Sequence, residues 1–279
     1  MRHTNHRPPR APNLEFLVGL SRAFAGALIF SLPILMTMEM WQIGVSISPA
    51  RLALLTATTL PVLVTLSYFV GFEETSTIAD DALDACAAYG VAFLTAAVVL
   101  YVFGVLDPGA HPRDILGQVA LQAVPGSIGA LLAQSQLGPR ADDQPRTRQP
   151  GYGGNIFFMG VGALFLSFNV APTEEVHLIG YKMNAWLSLT LVTTSVAIMH
   201  AFVYGVEFSG APLEVQHAPW WSLFARYTLV GYTVALLVAL YVLWVFGRFD
   251  GLAFHQILTS TVVLAFPAAV GAAAARLIL

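Results

Sequence analysis

Eight long apolar runs alternate with short polar breaks along the chain. They cover about Ala23–Gly44, Leu52–Phe72, Ala85–Leu106, Ile115–Leu137, Ile156–Gly180, Ala185–Phe208, Leu223–Phe246 and His255–Ile278. Each is close to the roughly 20 residues that carry an α-helix across about 30 Å of hydrocarbon. The runs are continuous rather than alternating, so helices, not the strands of a closed barrel, satisfy the backbone in lipid. The pattern predicts an all-α transmembrane protein of about eight spanning helices. Ile115–Leu137 is the least apolar run, with Gln118, Gln122 and Gln134; without it the count is seven.

The pattern also repeats. At a constant offset of 136, residues 26–72 match residues 162–208 at 13 of 47 positions, including Ser31/Ser167, Thr37/Thr173, Glu39/Glu175, Gly44/Gly180 and Tyr68/Tyr204. At an offset of 142 the match resumes with Pro125/Pro267 and Gly129/Gly271. Apolar chains match readily by chance, so the Pro, Gly, Thr and Glu pairs carry the weight. These matches predict two tandem four-helix membrane repeats, 22–137 and 155–279. A cytoplasmic tail, 1–21, precedes them, and a Pro-, Gly- and Arg-rich flexible linker, 138–154, joins them. Four spans per repeat give both copies one orientation, related by an axis along the membrane normal.

Each copy ends its first apolar run in Thr-x-Glu, and this is where the candidate chemistry lies. A carboxylate in hydrocarbon costs several kcal/mol unless it is paired, hydrated or protonated. The expected cation pathway comprises Glu39, Glu175, Glu174, Thr37, Thr173, Ser31, Ser167 and Asn169. Pro172, preceded by Asn169, predicts a bend or break between Asn169 and Thr173. Pro33 stands earlier in its copy, so a displaced and milder distortion is expected there. The structural alternative is equally concrete: both acids lie near the interface, Glu39 pairs with Arg51, and each threonine bonds back to the preceding turn. His177 and His200 are candidates for a proton or ligand site, His200 also reading as a hydrogen-bonded core residue. Glu174 and His177 have the E-x-x-H spacing of di-metal bundles, but only once, so no metal site is expected. Thr56, Thr58, Thr59, Thr193, Thr194 and Ser195 suit helix packing or a polar pore lining.

Composition agrees with this class. Charged residues are 10% of the chain and apolar residues 57%, where soluble domains carry roughly 25% charged residues. A net charge of −3 offers no basic face to nucleic acid. The single Cys86 excludes an intrachain disulfide. With an even span count, nine of the 13 Lys and Arg residues fall on the side of the termini and four on the other. The positive-inside rule then places both termini in the cytoplasm. Glu73, Glu74, Asp80, Asp81 and Asp84 form an acidic inner loop whose aspartates favour the start of the third span. The apolar run after the basic first residues is too long for a signal-peptide core.

The sequence holds no H-E-x-x-H, G-x-S-x-G or G-x-x-x-x-G-K-[ST], and no enzyme is expected. The run from Arg22 to Trp41, with Ala171–Val176 later, resembles a family of bacterial integral membrane proteins of unknown function. The resemblance implies a multi-span inner-membrane protein and, from genes beside some members, a small single-span partner. The combined expectation is an ion channel or ion-coupled transporter for a small cation, without a cofactor, in contact with lipid and open to homo-oligomer formation. The alternative is a non-transporting membrane scaffold or an assembly partner of a small membrane protein.

Overall fold

The computed structural model describes residues 12–70, 77–137, 150–205 and 220–278. Most of the expected linker, 138–149, and Glu73 and Glu74 lie outside these residues. Among the described residues every regular element is helical. In chain order they are α1 (Pro12–Leu35), α2 (Met38–Ser46), α3 (Pro49–Val70), α4 (Ile78–Val102), α5 (Pro112–Leu137), α6 (Tyr152–Val170), α7 (Glu175–Lys182), α8 (Ala185–Gly205), α9 (Trp220–Leu223), α10 (Val230–Val245) and α11 (Phe254–Ile278). A π-helical segment, Phe224–Leu229, joins α9 to α10 in one continuous span.

Eight of these helical stretches are long and apolar enough to cross a bilayer. Their outward faces carry Ile29, Leu94, Leu189 and Leu237. Leaving such side chains in water forgoes about 25 cal/mol per Å² of apolar surface, whereas lipid accepts them. Trp186 and Phe254 stand exposed at the first turns of α8 and α11, where aromatic residues of spanning helices meet the headgroups. The third span starts on a capping box: Thr77 accepts from the Asp80 amide and the Asp80 carboxylate accepts from the Thr77 amide. Asp80 therefore does what the sequence expects of that acidic stretch.

The chain forms two compact units. One takes residues up to 32, 58–108 and 119–147; the other takes 33–57, 109–118 and 148–279. The boundary does not follow the middle of the chain, because 33–57 and 109–118 group with the second half.

In the first unit α5 packs on α1 and α4. A Cβ at Gly26 would strike the Gly129 carbonyl and Ala133, and one at Gly129 would strike Phe30 and the Gly26 carbonyl. A Cβ at Gly126 would come within 3.2 Å of Ala92. In the second unit α11 packs on α6, α7, α8 and α10. There Gly162 and Gly271 lie so close that a Cβ on either would meet the other's carbonyl oxygen. Without water to drive association, such small-residue contacts let helices reach van der Waals distance in a membrane.

The doubtful fourth span proves to be a core helix. The spanning stretch of α5 is 83% buried and that of α11 61%, against 11–44% for the other six. Gln122 is 1% exposed. A helix enclosed by protein faces little lipid, so its glutamines need not meet hydrocarbon.

Candidate functional site at two helix breaks

Both Thr-x-Glu stretches lie at interruptions of the helical chain. α6 stops at Val170 and α7 resumes at Glu175, as Pro172 predicts. α1 stops at Leu35 and α2 resumes at Met38. The first break is therefore not displaced, contrary to expectation: its ends fall within a residue of their counterparts at the offset of 136. Pro33 sits inside the last turn of α1 and lacks the N–H that would continue it. Thr37 is then extended, at φ −101° and ψ 114°.

The threonines close the interrupted ends. Thr37 donates its amide to the Ile34 carbonyl at 3.1 Å and its hydroxyl to the Pro33 carbonyl at 2.6 Å. Thr173 donates both groups to the Val170 carbonyl, at 3.1 and 2.8 Å. Trp41 Nε1 takes the Leu35 carbonyl at 2.8 Å, and Asn169 Nδ2 the Phe165 carbonyl at 2.8 Å. Protein donors thus engage these carbonyls, the Val170 oxygen twice over, which leaves few lone pairs for a cation. Back-bonding of the threonines, the structural alternative, is what the structure shows.

The breaks also shorten the expected spans, which end at Leu35 and Val170 rather than at Gly44 and Gly180. Glu39 and Glu175 stand beyond them, in the first turns of α2 and α7, where the helix dipole favours an acid. Glu39 is half-buried and Glu175 exposed, so the burial cost is smaller than the apolar runs imply. Neither carboxylate has a side-chain hydrogen bond or ion pair among the described residues, and no hydrogen bond joins them. The expected Glu39–Arg51 pair is absent, because Arg51 holds Asp250 through two bonds of 2.6 and 2.7 Å. That hydrogen-bonded contact with Arg51 keeps the Asp250 carboxyl below its ordinary range.

The other candidate residues divide between the two units. Ser31 is buried and donates to the Ala27 carbonyl at 2.6 Å. Ser167 is fully buried, and its hydroxyl has no partner among the described residues. Glu174 is taken by Arg248 Nη1 at 2.6 Å. His177 Nδ1 is 3.1 Å from the Ser260 hydroxyl, on α11. Glu174 and His177 are thus each engaged elsewhere, and no group of three metal-ligating side chains occurs among the described residues. His200 Nδ1 bonds Thr228 Oγ1 at 2.9 Å beside the π-helical segment, its ring edge-on to Phe224. His200 is half-buried and hydrogen-bonded there.

The chain matches, over residues 19–279, the model of the family described as "Putative integral membrane protein (DUF2391)". It belongs to that family. No curated protein and no solved structure matches it. The DUF2391 match begins within α1 and covers every later helix, both breaks included.

Sequence reasoning missed the loop that engages these residues in the DUF2391 chain. Its signal was available: Val99–Gly104 and Val242–Gly247 read V-L-Y-V-F-G and V-L-W-V-F-G. Both end their helices alike, with Gly104 at φ 71° and Gly247 at φ 74°. In each, the glycine amide and the next one bond back to the last turn: Gly104 to Tyr101, Val105 to Leu100, Gly247 to Trp244 and Arg248 to Leu243. A short gap puts this pair at an offset of 143, between the two ungapped blocks of matching residues.

Among the site's titratable groups, burial acts on His177. Burial pushes its imidazole below the ordinary value; the charge of Arg248 acts the same way, and that of Glu174 opposes. The neutral ring thus contributes stability that is full above the unfolded value of about 6.5 and is lost as pH falls through the lower folded value. The thermal midpoint in detergent is expected to drop between pH 7.5 and pH 5. His177→Gln should flatten that drop; an unchanged slope would remove His177 as its source.

Proposed function

We propose that this protein carries or conducts a small inorganic cation across the bacterial inner membrane, with the two helix breaks as its binding region. The observation that carries the reading is the pair of breaks. Interrupted helices at corresponding positions of two halves are the strongest sequence-level pointer to a transport site. Here both lie in one compact unit, and each is followed by an acid that no cation among the described residues neutralises. The protein's arginines were within its means to spend on these acids, yet Arg51 and Arg248 pair with Asp250 and Glu174 instead.

Duplication of a four-span unit belongs to the same proposal. It is supported by matched packing: the Gly26–Gly129 approach recurs as Gly162–Gly271, and Gly44 against Gln118 recurs as Gly180 against Ser260. The matched helix ends at Gly104 and Gly247 add to it. Cytoplasmic termini follow from the charge bias. Of the four cations on the minority side, three have tertiary work that accounts for their place: Arg51 and Arg248 in ion pairs, and Arg113 donating to the Ile47 carbonyl at 3.4 Å.

Purified protein in proteoliposomes, tested with gradients of Na⁺, K⁺, H⁺ and Ca²⁺, is expected to pass one of them above protein-free vesicles. Absence of flux for all four would overturn the transport reading and favour the scaffold.

A further inference from the structure

We propose that the turn from Phe246 to Ala253 is an electrostatic strap, which holds the chain segments that follow the two breaks and can release them. Gly247, at φ 74°, ends α10 and turns the chain; Gly251, at φ 80°, turns it again. Between them two side chains of opposite charge leave in different directions. Arg248 binds Glu174, the residue just before α7. Asp250 binds Arg51, in the first turn of α3 and directly after α2, with both carboxylate oxygens. One short loop thereby holds the downstream side of each break.

The geometry is that of a fastening that can open. The Arg51 and Arg248 side chains are 23% and 15% exposed, whereas their acids are 62% and 61% exposed. Each cation is therefore drawn in beneath a carboxylate that water already reaches. Arg51 also lies over the Trp244 ring, 5.5 Å from its centroid. Arg248 is held less completely: its Nε–H is buried without an acceptor among the described residues. A buried donor left unmade costs free energy that hydration would return on opening. A Cβ at Gly247 would stand 3.1 Å from Arg51 Nη1 and 3.3 Å from Asp250 Oδ2, so the loop passes tightly over its own ion pair. The matching turn after Gly104 has Val105 where the second half has Arg248. Only the second half has that arm.

The strap is tested without any ion gradient, so its failure and that of the transport reading are separate results. Backbone hydrogen exchange is followed in the full chain in nanodiscs. Asp250→Asn should speed exchange in α2 and the first turn of α3 about fivefold, the scale of a well-aligned ion pair. Arg248→Gln should do the same in α7. The exchanged pair Arg51→Asp with Asp250→Arg should restore the slow rate. Amides of α4 serve as the internal reference. Unchanged rates in α2 and α7, failure of the exchanged pair to restore them, or acceleration equal in α4 would each overturn the strap. The last would reduce the ion pairs to general stability.

Discussion

Replacing Glu39 and Glu175 together by glutamine is expected to lower cation flux in proteoliposomes about tenfold or more, equivalent to losing at least 1.4 kcal/mol of cation stabilisation. Glutamine keeps the side chain's size and removes its charge. The loss to the short helices is the dipole term, about 0.3–1 kcal/mol for each acid, so the protein should remain folded. Single substitutions should each give part of the effect. Flux equal to wild type in the double variant would refute the pathway, because exposed interfacial acids already have water as their partner. A fall in thermal stability as large as the fall in flux would make both acids structural.

The largest loss of stability is expected at the glycine contacts between first and last spans of each half. Gly162→Val would force a side chain onto the Gly271 carbonyl and Ala275, and Gly26→Val onto the Gly129 carbonyl and Ala133. Backbone cannot yield as a flexible side chain can, so each should cost about 3 kcal/mol or more, the upper end of overpacking. Gly90→Ala and Gly160→Ala are the controls. A Cβ at Gly90 meets nothing within 4 Å, and one at Gly160 meets Val234 only at 3.7 Å. Thermal unfolding in detergent should separate the two sets clearly. Valine tolerated at Gly162 would mean that α6 and α11 are not held at this distance.

The spans were legible because a bilayer demands long apolar runs, and the break at Pro172 because proline cannot donate. The break after Pro33 was legible as a proline but not at the position it takes. A proline can sit inside a helix, as Pro61, Pro125 and Pro267 do, and only the extended Thr37 shows that α1 ends. The place of Glu39 beyond its span was hidden with that break, whereas that of Glu175 followed from the break at Pro172. Hydropathy continues through α2 and α7 and does not register that the axis has been interrupted. The partners of Arg51 and Arg248 were out of reach for another reason. They lie 199 and 74 positions away, and charge alone made Glu39 the natural partner of Arg51.

The burial of α5 and α11 has a consequence for biogenesis. A helix enclosed by protein gains little from lipid, and α5 carries glutamines that an apolar environment opposes. Its stable insertion depends on partners already in place, and those it packs on, α1 and α4, leave the ribosome before it. α11 stands in the same relation to α6, α8 and α10. Each half is completed by its last span, so the order of synthesis is also the order in which these helices can assemble.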